Sequence, residues 1–156
     1  MKDESWEPEV LLFTDGACGG NPGPGGWAFI LKHPKTGREL ESSGAEWETT
    51  NNRMELQAVI EGLSLLKRGS RVQIVTDSAY VMNGVTQWMP GWKARGWKRK
   101  TSSGRKPVKN LDLWKRLDAL LSGHTYRFQH VRGHRGHPEN ERCDELAVEA
   151  YRKLRQ

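Results

Sequence analysis

The sequence predicts an α/β protein in which one five-stranded mixed sheet is flanked by helices. Three strand-like apolar segments come first, and a helix, a strand, further helices, a strand and a last helix follow. The first three strands are expected to be antiparallel. The fourth and fifth strands are expected to run parallel to the first, because helical crossovers separate them from it. At 156 residues the chain is long enough for one domain with a substantial core.

Each element has its own local signal. The strands are bounded by turn residues, and the helices carry apolar residues at spacings of three and four. The predicted strands cover residues 10–14, 27–32, 38–47, 72–76 and 125–131. The predicted helices cover residues 52 to about 67, a segment after Ser78 as cap, residues 111–121 and the chain from Pro138 onward. The glycine-rich residues 19–26 are expected to form a loop, and Gly69 is expected to end the first helix.

The composition predicts a single domain at residues 10–156, preceded by a polar tail at residues 1–9 that is expected to be flexible. No apolar run approaches the roughly 18 residues that a membrane span needs. Cys18 and Cys143 lie far apart, and neither belongs to a CxxC pair. Both are therefore expected to be reduced thiols in a cytoplasmic protein. Nothing in the sequence demands an oligomer, and a monomer is expected.

Positive charge is concentrated in one segment. Residues 88–109 contain eight bases and no acid, and the rest of the chain holds 17 bases against 19 acids. A charge surplus confined to one segment indicates a docking surface for a polyanion. Trp88 lies on a helical apolar face, where it is expected to be packed or to line a groove. Trp92 and Trp97 lie among the charges of the segment. These two either form a small local core or stack on a nucleic acid, and core packing is favoured for Trp97.

Four acids are placed where they can meet. Asp15 and Asp77 each follow a threonine at the end of a predicted strand, and parallel neighbours bring their carboxyl ends to one edge of the sheet. Glu55 and Asp144 lie at the rims of the apolar faces of their helices. Carboxylates this close repel one another, and a hard divalent cation relieves the repulsion. Ligands that are all oxygen favour Mg²⁺ or Mn²⁺ over zinc.

Each acid also has an ordinary structural explanation. Asn52 and Glu55 fit a capping box at the start of the helix, and Asp15 and Asp77 fit turns after their strands. Asp144 fits a group of acids that favours a helix N-terminus. Together these explanations leave the two matching strand ends and the two rim-facing acids unaccounted for, so a metal-dependent site is favoured.

The histidines near the fifth strand allow a different kind of site. His130, His134, His137 and Cys143 invite a zinc interpretation, but their spacing matches no standard zinc pattern. His134 lies in a glycine-flanked loop near the acids, which makes it the candidate for general acid–base work or product release. His137 precedes Pro138 and is expected to be structural.

Six segments that run in order from about residue 10 to residue 150 match the motifs of one family. They are Thr14-Asp15-Gly16-Ala17-Cys18, residues 20–27, residues 49–56, Thr76-Asp77-Ser78, residues 106–114 and residues 133–147. In these motifs the chain resembles the bacterial type I ribonuclease H family. The resemblance implies a ribonuclease H-like fold. It also implies endonucleolytic hydrolysis of the RNA strand of RNA–DNA hybrids, which leaves 5′-phosphate and 3′-hydroxyl ends.

The resemblance further implies roles for individual residues. One or two Mg²⁺ ions, with Mn²⁺ as a substitute, would be held by Asp15, Glu55, Asp77 and Asp144, and His134 would assist proton transfer or product departure. The 2′-hydroxyl distinguishes RNA from DNA in the minor groove, where the matching residues are Cys18, Asn21, Asn51 and Asn52. Thr50 matches a DNA-phosphate position. A basic protrusion at residues 88–109 would grip the DNA strand through Trp88, Trp92, Lys93, Lys98, Arg99 and Lys100.

Three positions depart from the family pattern. Glu48 replaces a basic residue of the phosphate pocket, Ala79 replaces a glutamine that contacts RNA, and Gly91 replaces an asparagine near the DNA phosphate. Two other functions stay open: a nuclease on the same kind of fold that acts on DNA, and a binder of hybrids or double-stranded RNA without catalysis. The asparagines favour hybrids over DNA, and the four acids argue against binding alone.

Overall fold

The computed structural model describes residues 6–133 and 136–155, and the predicted five-stranded mixed sheet lies at its centre. The strands are β1 (Val10–Cys18), β2 (Gly23–His33), β3 (Arg38–Thr49), β4 (Arg71–Thr76), β5 (Lys98–Thr101), β6 (Gly104–Pro107) and β7 (Thr125–His130). The α-helices are α1 (Asn51–Ser64), α2 (Ala79–Asn83), α3 (Met89–Ala94), α4 (Leu111–Leu121) and α5 (Pro138–Arg152). The main sheet has the order β3-β2-β1-β4-β7. As predicted, β1 to β3 are antiparallel neighbours and β1, β4 and β7 are parallel.

The first two strands extend well beyond their predicted bounds. β1 continues beyond Thr14 because its pairing with β2 runs on to Cys18 and Gly25. β2 begins at Gly23, so the loop expected at residues 19–26 is confined to residues 19–22. A Cβ at Gly26 would lie 2.1 Å from the carbonyl oxygen of Ala147. Gly26 therefore permits the close packing of α5 on the sheet.

The sheet is covered by helices on both faces, as its residue alternation requires. Leu12 of β1 and Ile74 of β4 belong to the larger apolar cluster, together with residues of α1 and α4. Their chain neighbours Phe13 and Val75 belong to the second cluster, with residues of α5. Successive side chains of a strand point to opposite faces, so α1 and α4 lie on one side of the sheet and α5 on the other.

The end of α1 differs from the prediction. The helix ends at Ser64 with Leu65 as its C-cap, and Gly69 does not close it. A Cβ at Gly69 would lie 2.9 Å from the carbonyl oxygen of Gly123. The glycine therefore permits two connecting segments to approach each other, which a local pattern cannot reveal.

The basic protrusion follows the short helix α2, which continues into a π-helical turn. The Ser78 hydroxyl accepts a hydrogen bond from the Val81 N–H at 3.1 Å and caps α2, as predicted. A π-helical turn at Gly84–Trp88 follows, and a Cβ at Gly84 would lie 2.0 Å from the indole of Trp114. The two-stranded β5–β6 hairpin comes after α3. The sequence does not predict this hairpin, because its charged residues show no apolar alternation.

Residues 6–9 are the described part of the segment that is expected to be a tail, and they contact the main sheet. The Glu9 N–H donates to the Arg71 carbonyl at 2.8 Å, and the Arg71 guanidinium donates to the Glu7 carbonyl at 2.8 Å. The Trp6 ring stacks on the Arg127 guanidinium at 4.4 Å. Among the described residues, no helix is long and apolar enough to cross a membrane.

Candidate active site

Three acids converge at one edge of the main sheet. The parallel pairing of β1 with β4 ends at Phe13 and Val75, and Asp15 and Asp77 each lie two residues further along their chains. One carboxylate oxygen from Asp15, Glu55 and Asp77 can be chosen so that all three lie within 4.8 Å of one another. The predicted meeting of Asp15 with Asp77 is confirmed. The expected turn at Asp15 is wrong, because Asp15 lies inside β1, which continues in its pairing with β2.

Glu55 reaches the cluster because α1 packs closely against β1. The Gly16 N–H donates a hydrogen bond to the Glu55 carboxylate. A Cβ at Gly16 would lie 2.5 Å from the backbone nitrogen of Glu55. Any other residue at this position would therefore push the helix, and the carboxylate that it carries, away from the strand.

The capping-box explanation of Glu55 is wrong. The N-cap of α1 is Thr50, whose backbone is extended and whose hydroxyl accepts from the Arg53 N–H at 3.3 Å. Asn52 lies inside the helix and Glu55 lies beyond its first turn. The carboxylate of Glu55 is therefore directed to the acidic cluster and does not serve the helix end.

Burial and mutual repulsion oppose the ionisation of the cluster. Asp15 and Glu55 are buried, with exposures of 3% and 5%. Burial, followed by the charges of Glu55 and Asp77, raises the pKa of Asp15 to about 11. Burial and the charge of Asp77 raise the pKa of Glu55 to about 8, while hydrogen bonds from Asp15, the Gly16 N–H and Ser78 act in the opposite direction. Without a cation, the cluster therefore retains protons at neutral pH.

Asp144 approaches the same cluster from α5. It lines the groove that contains the three acids, and its charge contributes to the raised pKa of Asp15. It does not belong to the group of three that is close enough to share one ion. The structure thus brings all four predicted acids to one groove, with three of them close together and Asp144 in the wall.

The donor set of the cluster fits a hard divalent cation. The three grouped residues offer carboxylate oxygens alone, which are the ligands that such cations prefer. Positive charge at this point would also offset the repulsion that holds protons on Asp15 and Glu55. Among the described residues, no other group of three or more acids, histidines and cysteines is close enough for a shared ion.

The histidine-rich region shows no such arrangement in its described part. Cys143 is buried in the second apolar cluster, its thiol donates to the Phe13 carbonyl at 3.5 Å, and burial raises the pKa of that thiol. His130 is exposed, with Nε2 3.1 Å from the carbonyl oxygen of Asp77. His137 precedes α5 as its N-cap residue but makes no capping hydrogen bond through its side chain. His134, the candidate for acid–base work, lies outside the described residues.

The groove around the acids measures about 580 Å³ and contains most of the residues expected in the minor groove of a hybrid. Cys18, Asn51 and Asn52 line it. The Asn21 side-chain oxygen accepts from the Asn51 N–H at 3.2 Å and so connects the glycine loop to the start of α1. The Cys18 thiol lies 3.5 Å from the Thr49 carbonyl and 3.6 Å from the Gly23 carbonyl.

The groove is also lined by larger side chains that the sequence analysis does not predict as site residues, among them Tyr80, Val148 and Tyr151. Val148 and Tyr151 follow Asp144 at spacings of four and seven, which place them on the same helical face. This spacing could have identified them. Tyr80 carries no such signal, because its position depends on contacts with the distant helix α4 and its N-cap residue. The Tyr80 hydroxyl accepts hydrogen bonds from Asn110 Nδ2 at 2.9 Å and from Trp114 Nε1 at 3.1 Å.

The tryptophans of the basic protrusion pack against one another. The Trp92 ring lies 5.9 Å from that of Trp88 and 5.4 Å from that of Trp114, measured between centroids. Trp92 and Trp97 are partly buried against the main core, in agreement with the local-core interpretation of Trp97. Trp88 remains 37% exposed and contacts Tyr80 at the edge of the groove. Of these four rings, Trp88 thus offers surface to a ligand beside the groove.

The cations of the protrusion differ in their surroundings. Lys93 forms an ion pair with Asp118 at 3.1 Å. Lys98 and Lys100 are exposed on β5, whereas Arg99 between them is half-buried. The alternation of β5 therefore directs its two lysines to solvent, where they can meet an anionic ligand.

Comparison with known proteins identifies relatives along nearly the whole chain. The family model for RNase H matches residues 7–152. A ribonuclease H from Rhodopirellula baltica is 54% identical over 152 residues, which cover 97% of this chain and 96% of the relative. A ribonuclease H from Paracoccus denitrificans is 57% identical over 141 residues, or 88% and 89% of the two chains.

Solved structures show the same fold. The type 1 RNase H called LC9-RNase H1 superposes with a TM-score of 0.80 at 34% identity, over 97% of this chain and 75% of the other. LC11-RNase H1, solved in complex with an RNA/DNA hybrid, superposes with a TM-score of 0.70 at 26% identity, over 94% and 99% of the two chains.

Proposed function

This chain belongs to the ribonuclease H family, and from that premise we propose that it is an endonuclease that hydrolyses the RNA strand of RNA–DNA hybrids and leaves 5′-phosphate and 3′-hydroxyl ends. The observation that carries the proposal is the cluster of Asp15, Glu55 and Asp77 in a groove lined by Cys18 and Asn51. The hybrid bound to LC11-RNase H1 supports the substrate class. A binder without catalysis has no need of buried acids whose ionisation opposes folding.

The proposed cofactor is Mg²⁺, with one or two ions in the site and Mn²⁺ as a substitute. The residues proposed to hold it are Asp15, Glu55, Asp77 and Asp144. When bound, such ions supply an activated water and stabilise the charge that develops on the phosphodiester. The preference for Mg²⁺ is supported by the all-carboxylate donor set, since Mg²⁺ is bound through a few carboxylates together with waters and substrate phosphates.

The protein groups divide the remaining tasks. Asp15 and Glu55 release their protons as the site acquires positive charge, because the repulsion that raises their pKa values is then offset. The Asn51 N–H donates to the Asn21 side chain and so holds it in place. The residues proposed to contact the minor groove, where the RNA 2′-hydroxyl is recognised, are Cys18, Asn21, Asn51 and Asn52. His134 is proposed to assist proton transfer or the departure of product.

The basic protrusion is proposed to hold the DNA strand. The residues of the protrusion proposed to contact this strand are Trp88, Trp92, Lys93, Lys98, Arg99 and Lys100. Outside the protrusion, Thr50 is proposed to contact a DNA phosphate. Lysine and arginine contacts to phosphates position a duplex without reading its sequence, which suits an enzyme that acts on hybrids of any sequence. The domain is proposed to comprise residues 10–156 and to act as a monomer in the cytoplasm.

Cleavage of an end-labelled hybrid tests the proposal. The substrate controls are single-stranded RNA, duplex RNA and duplex DNA, each with Mg²⁺, with Mn²⁺ and with a chelator. Asp15→Asn and Glu55→Gln should abolish cleavage. Glu61→Gln is the matched control, because Glu61 lies on the same helix and bonds to Gln57 away from the cluster. Cleavage of duplex DNA alone, or cleavage that survives the chelator, would contradict the proposed substrate or the proposed metal site.

A further inference from the structure

One face of α5 extends the groove beyond the acids. Asp144, Val148 and Tyr151 follow one another at spacings of four and three, and all three line the groove. At a rise of 1.5 Å per residue, Tyr151 lies about 10 Å along the helix axis from Asp144. A strand that follows this groove with one phosphate at the acids would bring a neighbouring part of its backbone to Tyr151.

The Tyr151 ring lies against the glycine loop that carries Asn21. A Cβ at Gly19 would lie 2.8 Å from Tyr151 Cε1 and 3.4 Å from Cζ, the carbon that bears the hydroxyl. Gly19 therefore leaves the space that the ring occupies. The Gly19 N–H donates to the Pro24 carbonyl at 2.7 Å, which closes the base of the loop. The ring is thus held between α5 and a closed loop.

The hydroxyl of Tyr151 is available to a ligand. Within the part of the chain that the structure describes, residues 6–133 and 136–155, it has no hydrogen-bond partner. The residue is partly exposed and lines the groove. The Tyr80 hydroxyl, at another position in the groove, accepts two hydrogen bonds from the protein and is committed to the fold. A phenol donates well to an anionic oxygen, and its ring packs on a sugar.

We propose that Tyr151 is a substrate-binding residue that donates a hydrogen bond to a phosphate of the RNA strand beside the scissile one and packs its ring on the adjoining ribose. The inference rests on the proposed function, because it takes the strand at the acids to be RNA. It adds a contact on α5 to those expected at the glycine loop and at the start of α1. The contact requires an anionic phosphate beside the scissile one and does not depend on the 2′-hydroxyl.

The test combines a protein change with a substrate change. Tyr151→Phe is compared with wild type and with Tyr126→Phe, a matched control on β7 whose ring packs against Phe128. The substrates are hybrids with a single neutral methylphosphonate at successive positions of the RNA strand, and a second series carries single 2′-deoxy substitutions. Steady-state cleavage gives kcat and KM, and anisotropy of a labelled hybrid in chelator gives Kd.

Tyr151→Phe should raise KM and Kd about 5-fold to 10-fold with little change in kcat, as the loss of one net hydrogen bond predicts. A methylphosphonate at one position should raise KM and Kd of the wild type by the same factor. At that position it should not raise KM and Kd of the Tyr151→Phe variant any further. If the effect of Tyr151→Phe disappears at one 2′-deoxy position and at no methylphosphonate position, the partner of Tyr151 is a 2′-hydroxyl. That result would overturn the stated contact with a phosphate. Additive effects at every position, or wild-type KM and Kd in Tyr151→Phe, would overturn the inference as a whole.

Failure of the proposed function is distinguishable from failure of this inference. If the wild type binds but does not cleave hybrids, the proposed function fails, and the Kd measurements still decide whether Tyr151 contacts the RNA strand. If the wild type cleaves and the Tyr151→Phe variant matches it, only the inference fails. Tyr151→Ala gives a second variant: removal of the ring should raise KM further than Tyr151→Phe, and thermal unfolding shows whether the variant remains folded.

Discussion

Replacement of Asp15 by asparagine should stabilise the metal-free protein at neutral pH. Burial and neighbouring carboxylates raise the pKa of Asp15 from 3.8 to about 11. At pH 7 the folded protein therefore holds a proton that the unfolded chain releases, and the uptake of that proton reduces stability. Asparagine has no such equilibrium, and its amide can donate to Glu55 in place of the protonated carboxyl.

The expected magnitude follows from the interval between the pKa of the unfolded chain and the pH of the experiment. Each pH unit corresponds to about 1.4 kcal/mol, so the interval from 3.8 to pH 7 sets an upper limit of about 4 kcal/mol. At pH 5 the limit is about 1.6 kcal/mol, and near pH 4 it vanishes. Because the folded state binds the extra proton, the stability of the wild type falls as the pH rises from about 3.8 toward about 11. The Asn variant lacks this contribution.

Urea unfolding in chelator at pH 5, 6, 7 and 8 measures the effect. The advantage of Asp15→Asn should grow with pH. In a parallel thermal melt at pH 7, the midpoint should rise by up to roughly 8–16 °C. The control is Asp112→Asn: the ion pair with Arg53 at 2.7 Å lowers the pKa of Asp112, so its removal should cost up to about 1 kcal/mol at this exposed position. An Asp15→Asn variant that is no more stable than wild type at pH 7, or whose advantage is the same at pH 5 and pH 8, would refute the reasoning.

A packed glycine, a helix cap and the charged hairpin give three further outcomes. Gly84→Ala should lower the free energy of unfolding by about 2 kcal/mol or more, because the new Cβ would lie 2.0 Å from the Trp114 ring; an unchanged urea midpoint would contradict this packing. Thr50→Ala should cost about 1 kcal/mol in thermal unfolding through loss of the N-cap bond, and Asn52→Ala should cost less. Alanine at residues 98–100 should raise KM for the hybrid and reduce the log–log salt slope by about 0.9 for each lost phosphate contact. Unchanged KM and salt slope would remove these residues from the binding surface.

Asp15 and Asp77 show what strand periodicity predicts. Both follow apolar segments, and the parallel pairing of those segments brings the two acids together. The continuation of β1 through Asp15 is different in kind. An Asp-Gly pair is a common turn signal, but here Gly16 meets the backbone of Glu55, which is distant in sequence. A local pattern carries no information about that contact.

Thr50 shows a second limit. Asn52 and Glu55 match a capping box by residue type and spacing, yet the helix begins earlier, because β3 ends at Thr49 and leaves Thr50 in an extended conformation at the cap. The strand sets the start of the helix. The groove position of Tyr151 was within reach of sequence reasoning, since its spacing from Asp144 is helical. The partners of Tyr80 were not, because they come from the distant residues Asn110 and Trp114.

The β5–β6 hairpin leaves the core and returns to it at neighbouring points. Trp97 packs on the main core, Val108 is buried in it, and the Val108 N–H donates to the Trp97 carbonyl at 3.3 Å. The residues between Trp97 and Val108 therefore form a unit that is joined to the core at its two neighbouring ends. We expect that changes at its exposed lysines, Lys98 and Lys100, leave the core and the acids unaltered. If the hairpin holds the DNA strand as proposed, the strength of substrate binding can be changed separately from catalysis.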